Sequence, residues 1–276
     1  MTDLDWAAMA DVMELEGEVN RPYVQQALAE LAHLEPQRIM DVGSGPGVAA
    51  CQLAAVFPQA QVTAVDGTPE LLVRAEQRAK RLGVELRTRE AEFPAGLDEL
   101  EAADLIWSAQ AVHHVGDQQD ALNRMARLLT ADGVLAVVEG GLPTRWLPND
   151  LGFGRPGLQT RIDAAMSERF NQMRAELPGS VATAETWADM LRTAGLVEAR
   201  SKTFLVDRPA PLDGDTRRWV RGTLERYRHG LDGQLDAEDL ATVDRLLDPA
   251  DPAGIDRRPD LFLLTAKTVH FGRRAA

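Results

Sequence analysis

Three glycines at alternate positions, Gly43, Gly45 and Gly47, follow a short apolar run (Ile39, Met40, Val42) and precede a longer one from Val48 to Ala55. Glycines so spaced let the backbone turn sharply and bring its N–H groups close to a ligand that a Cβ would hold off. Asp41 stands just before the turn. A carboxylate there is badly placed for a pyrophosphate and well placed for a ligand with a cationic end. A second acid, Asp66, follows 25 positions later, near the spacing at which a carboxylate grips ribose hydroxyls. A pair of imidazoles, His113 and His114, follows another apolar run and offers a general base. Adjacent histidines seldom point at one ion and no third ligand lies nearby, so no metal site is expected.

These groups need a scaffold that brings several loops to one edge. The chain supplies strands alternating with helices. A first strand carries Asp41, and the helix from Val48 follows its turn. The second strand, Gln61 to Val65, ends at Asp66. Thr68-Pro69-Glu70 then starts a helix with Pro at its first position and an acid in its first turn, and Gly83 stops it. A third strand spans Val84 to Thr88, and a fourth Ala103 to Trp107. An amphipathic helix covers 118–129, Thr130-Ala131-Asp132-Gly133 forms a turn, and Val134 to Val138 reads as a buried fifth strand. Such alternation predicts an α/β fold with a Rossmann-like, doubly wound sheet. Upstream, residues 4–18 carry a helical stripe (Leu4, Trp6, Met9, Val12, Met13, Leu15). A second helix is expected after Asn20-Arg21-Pro22, with Pro36 beyond its end.

The ligand is narrowed by two residues. Val48 occupies the place of the third glycine of the dinucleotide fingerprint, which disfavours a nicotinamide cofactor. Asp41 suits S-adenosylmethionine, whose amino-acid end carries an ammonium and a sulfonium. The motif D-V-G-S-G-P-G (41–47), then V-D-G-T-P-E-L-L (65–72) and L-L-T-A-D-G-V-L-A-V-V-E (128–139), resembles the class I S-adenosylmethionine-dependent methyltransferases of the small-molecule type. The resemblance covers roughly 36–139 and 183–270.

It implies a seven-stranded sheet with an antiparallel last strand, and S-adenosylmethionine as the cofactor. The implied contacts are Asp41, Gly43, Ser44, Gly45 and Gly47 from the first loop. Asp66, Gly67 and Thr68 follow from the second. Glu90, Ala91 or Glu92 would lie at the adenine, and Ser108, Ala109 and Gln110 beside the methionine part. In that family the paired histidines more often brace the loop than act as a base. His113, His114, Glu139 and Tyr227 are candidates should the acceptor be a hydroxyl. The alternative function is a protein that binds S-adenosylmethionine or its product without transferring a methyl group.

The expected organisation is a helical lid at 1–35, a core of 36–139, 183–207 and 259–276, and two helical insertions at 140–182 and 208–258. The insertions should decide the substrate, since the shared core binds the cofactor. Trp146, Phe153, Trp219 and Tyr227 either line a pocket or form the insertions' own core. Arg145, Arg155 and Arg161 either meet a substrate carboxylate or are solvated.

The 276 residues are 45% hydrophobic, ample for a sizeable core, and 30 basic against 43 acidic side chains give a net charge of −13. Such a surface repels phosphate backbones, so a small-molecule substrate is expected and nucleic acid is not. The single cysteine, Cys51, allows neither an internal disulfide nor a cysteine metal cluster. No leader peptide or membrane span is evident, so a cytoplasmic protein is expected. The insertions leave room for a homodimer contact.

Overall fold

Strands and helices alternate from the first strand onward. The computed structural model describes residues 9–231 and 233–276; Leu4 and Trp6 of the expected N-terminal stripe lie outside the described residues. In chain order the elements are α1 (Ala10–Leu31), β1 (Arg38–Val42), α2 (Val48–Val56), β2 (Gln61–Asp66), α3 (Pro69–Leu82), β3 (Arg87–Glu90), β4 (Ala103–Ala109) and α4 (Gln118–Leu128). Then come β5 (Leu129–Arg145), α5 (Leu158–Glu176), α6 (Trp187–Thr193), β6 (Leu196–Arg208), α7 (Gly214–Gly230), α8 (Ala237–Leu247) and β7 (Leu263–Arg274).

The seven strands form one sheet in the order β3-β2-β1-β4-β5-β7-β6, with the last strand antiparallel. β1 pairs in parallel with β2 on one side and β4 on the other. The chain therefore winds outward from β1 to β3 and returns to start the other half at β4. The crevice at the carboxyl ends of β1 and β4 is the switch point where open α/β sheets bind ligands.

Alternation along β1 sends Met40 and Val42 to one face, where they join Ile106, Leu135 and Val137 against Leu122 and Met125 of α4 and Trp187, Met190 and Leu191 of α6. Ile39 and Asp41 point to the opposite face. Asp41 there has Ala64 and Trp107 as its neighbours in register on β2 and β4, and both are fully buried.

The third strand lies at Arg87–Glu90 where Val84 to Thr88 was expected, and two further elements differ from the sequence expectation. The N-terminal region described is one helix, α1, running through Pro22. Proline inside a helix costs about 3 kcal/mol. Here the stripe Val19, Asn20, Tyr23, Val24, Ala27, Leu28 and Leu31 is buried on both sides of Pro22, so packing outweighs that cost. The helix is held to α3 by ion pairs: Arg74 with Asp11 and Glu14, Arg78 with Glu14 and Glu18, and Arg81 with Glu14. The second difference is β5. It runs through the expected turn and on to Arg145, into the start of the expected first insertion. Asp132 takes a left-handed φ of 61°, and the pairing with β4 shifts register between Ala103 and Leu105. An irregular strand replaces the turn.

The chain divides into two compact units. One contains the described residues of Met1–Gly141, with Ala175–Phe204 and Lys267–Ala276; the other is Leu142–Arg174 with Leu205–Ala266. The second unit has its own core, including Trp146, Leu158, Ile162, Trp219, Val220, Leu224, Val243 and Leu246. Trp146 and Trp219 are thus packing residues. Arg155 and Arg161 are part-exposed and both are paired with carboxylates of the second insertion. Arg161 grips the buried carboxylate of Asp239 bidentately at 2.6 and 2.7 Å, and Arg155 joins it at 2.9 Å. This charge-assisted fork ties the first insertion to the second. Phe153 lies under Arg245, 4.2 Å from the guanidinium carbon to the ring centre.

Candidate functional site

The loop after β1 is built on its own backbone. Gly43 and Ser44 donate to the Val65 carbonyl at 2.9 and 3.0 Å, and Gly47 donates to the Ser44 carbonyl at 3.0 Å. Gly43, Gly45 and Gly47 all have positive φ, a conformation that side chains rarely adopt. Close neighbours add a second requirement. A Cβ on Gly43 would sit 2.6 Å from the Ala111 methyl, and one on Gly45 would sit 2.7 Å from Cε of Met13. The fourth-strand loop and α1 therefore close on the glycine turn from two sides.

The acids around this loop have distinct settings. Asp66 is half-buried, and its carboxylate accepts the Gly45 N–H at 2.8 Å and the Thr68 N–H at 2.9 Å. Each oxygen keeps a second lone pair for a ligand. Asp41 is 1% exposed, and its Oδ2 has no hydrogen-bond partner. Burial raises its pKa to about 7, opposed by the Ala50 N–H and assisted by the negative charge of Asp66. Ser44 Oγ is likewise buried without a partner. A buried acceptor with nothing to accept is costly. The pair suits a ligand that brings a cation and further hydrogen-bonding atoms, as the amino-acid end of S-adenosylmethionine does.

Beyond β3, Ala91 donates to the Asp66 carbonyl at 3.1 Å. Glu92 comes close to Gly67, where a Cβ would meet its Oε2 at 2.7 Å. Glu90 is exposed at the strand end. At the end of β4 the Ser108 hydroxyl donates to the Val42 carbonyl at 2.9 Å and stitches the two central strands together. Ala109 is followed by Gln110 at φ 56°. Gln110 gives both its backbone N–H (3.0 Å) and its side-chain amide (3.2 Å) to Val138. Loops carrying the expected residues from β1, β2, β3 and β4 thus meet at the same sheet edge, while the Ser108 and Gln110 side chains are used within the sheet.

Glu139, at the end of the sheet's buried part of β5, is the main bracing residue. Its carboxylate accepts from Val112 N at 2.9 Å, His113 N at 3.3 Å and His113 Nδ1 at 2.8 Å. A carboxylate acceptor fixes the proton on Nδ1, leaving Nε2 with the lone pair when the ring is neutral. The His114 ring packs on that of His113 with centroids 4.1 Å apart. The Glu139 carbonyl accepts from Nε2 of His270, whose Nδ1 lies 2.7 Å from Ser201 Oγ. Burial lowers the His270 pKa, so this brace is neutral. Tyr227 lies on α7 in the second unit.

The sequence profile of the methyltransferase domain matches residues 35–195. The chain is 28% identical over 278 residues to a trans-aconitate 2-methyltransferase of Methylobacterium nodulans, covering 96% of this chain and 99% of that protein. It is 29% identical to a protein of the same name from Methylobacterium radiotolerans, covering 91% and 95%. A solved structure of PigF with S-adenosylhomocysteine superposes with a TM-score of 0.50 at 18% identity, covering 67% of this chain and 52% of that one. Among the described residues no helix is long and apolar enough to cross a membrane.

Proposed function

This chain belongs to the methyltransferase-domain family, and from that premise we propose that it methylates an oxygen of a small molecule bearing carboxylates. It is an S-adenosylmethionine-dependent methyltransferase acting on a small molecule, which sets aside the nicotinamide and non-methylating alternatives. The acceptor proposal rests on one observation: the relatives named trans-aconitate 2-methyltransferase align over nearly the whole chain, insertions included. The insertions make up most of the second unit, to which we assign the choice of acceptor. In that unit Arg145 hydrogen-bonds to the Thr160 hydroxyl with the Asp163 carboxylate near its charge, and Arg226 hydrogen-bonds to the Thr223 hydroxyl, so Arg226 is the cation we assign to an acceptor carboxylate.

For the cofactor we assign Asp41 Oδ2 and Ser44 Oγ to the amino-acid end, the glycine loop's N–H groups to its carboxylate, and Asp66 to the ribose. Glu90 and Glu92 are both exposed, and we assign the adenine side to Glu92 because it lies beside Gly67. When bound, the cofactor would supply a methyl group on a positively charged sulfur; the acceptor oxygen would bond to that carbon in line as the C–S bond breaks and S-adenosylhomocysteine leaves. The chain's task is then to hold the acceptor at near-attack distance and exclude water. A carboxylate has a pKa near 4 and reaches the site ionised, so no base is required. The bonding of His113 to Glu139 agrees with this, as a loop brace.

With trans-aconitate and other small di- and tricarboxylates offered alongside phenols and amines, S-adenosylhomocysteine release is expected only from the carboxylates. Their kcat should be flat between about pH 6 and 9, and His114→Ala should change it less than about threefold, where loss of a base costs 10²–10⁴-fold. Turnover confined to hydroxyl or amine acceptors, with a basic limb in the pH profile, would overturn the acceptor assignment.

A further inference from the structure

α1 occupies the region expected to form a helical lid, and its buried stripe contains one residue that does not belong in a packing seam. Asn20 is 7% exposed. Its side-chain nitrogen donates to the Glu16 carbonyl at 3.0 Å. A carbonyl can only accept, so this contact identifies the nitrogen and leaves Oδ1 as the second amide atom. Oδ1 is buried without a hydrogen-bond partner. An orphaned oxygen at that depth calls for a donor.

Its position says which donor. Residues three and four apart share a helix face, so Met13, Gly17, Asn20 and Val24 form one stripe. Met13 Cε closes on Gly45 of the cofactor loop, and Gly17 closes on Val48, the first residue of α2. Asn20 is one turn further along the same stripe. Tyr23, three residues on, is buried where the charges of Asp41, Glu16 and Glu139 help to hold its phenol protonated well above the usual range. The stripe thus runs from the glycine loop toward Asp41, whose own Oδ2 is, like Ser44 Oγ, buried without a hydrogen-bond partner.

We propose that Asn20 is a cofactor-positioning residue, its Oδ1 accepting, alongside Asp41 Oδ2, a hydrogen bond from the ammonium group of S-adenosylmethionine. Helix α1 is then a wall of the cofactor's amino-acid subsite. The proposal rests on S-adenosylmethionine being the cofactor. An ammonium has three donors, enough for both oxygens and a further contact.

The test compares S-adenosylhomocysteine with 5′-methylthioadenosine, which keeps the nucleoside and lacks the amino-acid end. Both are titrated calorimetrically into the wild type, Asn20→Leu and Asn20→Ala. The ratio of the two Kd values is read within each preparation, so the folded fraction cancels. The wild type is expected to bind both. Either variant should weaken S-adenosylhomocysteine by about tenfold or more and leave 5′-methylthioadenosine within twofold. Amide exchange on the wild type provides a readout that needs no variant. S-adenosylhomocysteine should protect residues 17–24 more than 5′-methylthioadenosine does. An unchanged Kd ratio, or equal protection by the two ligands, would overturn the role of Asn20. Failure of the wild type to bind either would instead overturn the cofactor reading.

Discussion

Asp41→Asn is expected to stabilise the ligand-free protein above neutral pH and to weaken S-adenosylmethionine binding by one to two orders of magnitude. Both effects come from the same burial. The folded-state pKa of Asp41 is raised to about 7 from an unfolded value near 4. Between those values the folded chain holds a proton that the unfolded chain releases. The stabilisation this brings is fully present below about pH 4 and is lost as pH rises through 7. A shift of about three units corresponds to roughly 4 kcal/mol between the two limits. Asparagine has no charge to desolvate, and its oxygen can still accept from Ala50. Its NH₂ group has no partner and costs about 1–3 kcal/mol. The difference in Tm, variant minus wild type, should therefore become more positive from pH 5 to pH 8. A charged hydrogen bond to the cofactor is worth about 1.5–3 kcal/mol, hence the loss of affinity. Thermal melts across pH, with calorimetry at pH 8, check both halves. A Tm difference that does not change with pH would show that Asp41 is not a buried, ligand-waiting carboxylate.

The second large effect is expected from Gly47→Ala. Gly47 has φ 75°, and a Cβ there would lie 2.5 Å from the Cβ and 3.0 Å from the Cα of Ala75 on α3. The Cα is backbone on the buried face of α3, in the middle of the helix, and has little room to retreat. Left-handed strain of about 1 kcal/mol adds to overpacking of about 1–3 kcal/mol. Together, a loss of about 2–4 kcal/mol should lower Tm by roughly 5–15 °C. Gly83→Ala is the control. Its φ is 68°, yet nothing lies within 4 Å of the added methyl, so only the strain should register. Circular-dichroism melts that place the two variants together would contradict the packing argument.

What the sequence reveals depends on how far apart the interacting residues lie. The glycine turn with Asp41 and Asp66 is legible because strand, loop and helix are contiguous and each glycine answers a local backbone need. The doubly wound order follows from the same alternation. Asn20-Arg21-Pro22 misleads: it has the composition of a helix start, yet Asn20 and Pro22 lie inside α1 because burial on both sides keeps one phase. The clue was available in the unbroken stripe of Met13, Gly17, Asn20 and Val24. The Arg155–Arg161–Asp239 fork joins residues 78 and 84 positions apart, and no local pattern marks it. Glu139 and His113 are separated by 26 positions. Their union requires β5 and the β4 loop to be adjacent, so the loop-bracing role expected of the paired histidines has a partner that no local pattern names. Met13 against Gly45 is likewise invisible without the helix's placement.

The central claim is that the buried Asp41 carboxylate receives the cationic end of S-adenosylmethionine. It is tested most directly by titrating the wild type and Asp41→Asn with S-adenosylhomocysteine at pH 6, in buffers of different ionisation enthalpy. At that pH Asp41 is largely protonated before binding, and an ammonium beside it would drive the proton off. The wild type should release close to one proton per ligand bound, and Asp41→Asn should release none while binding more weakly. Tight binding by the wild type with no proton released, or the same release by both proteins, would contradict the account.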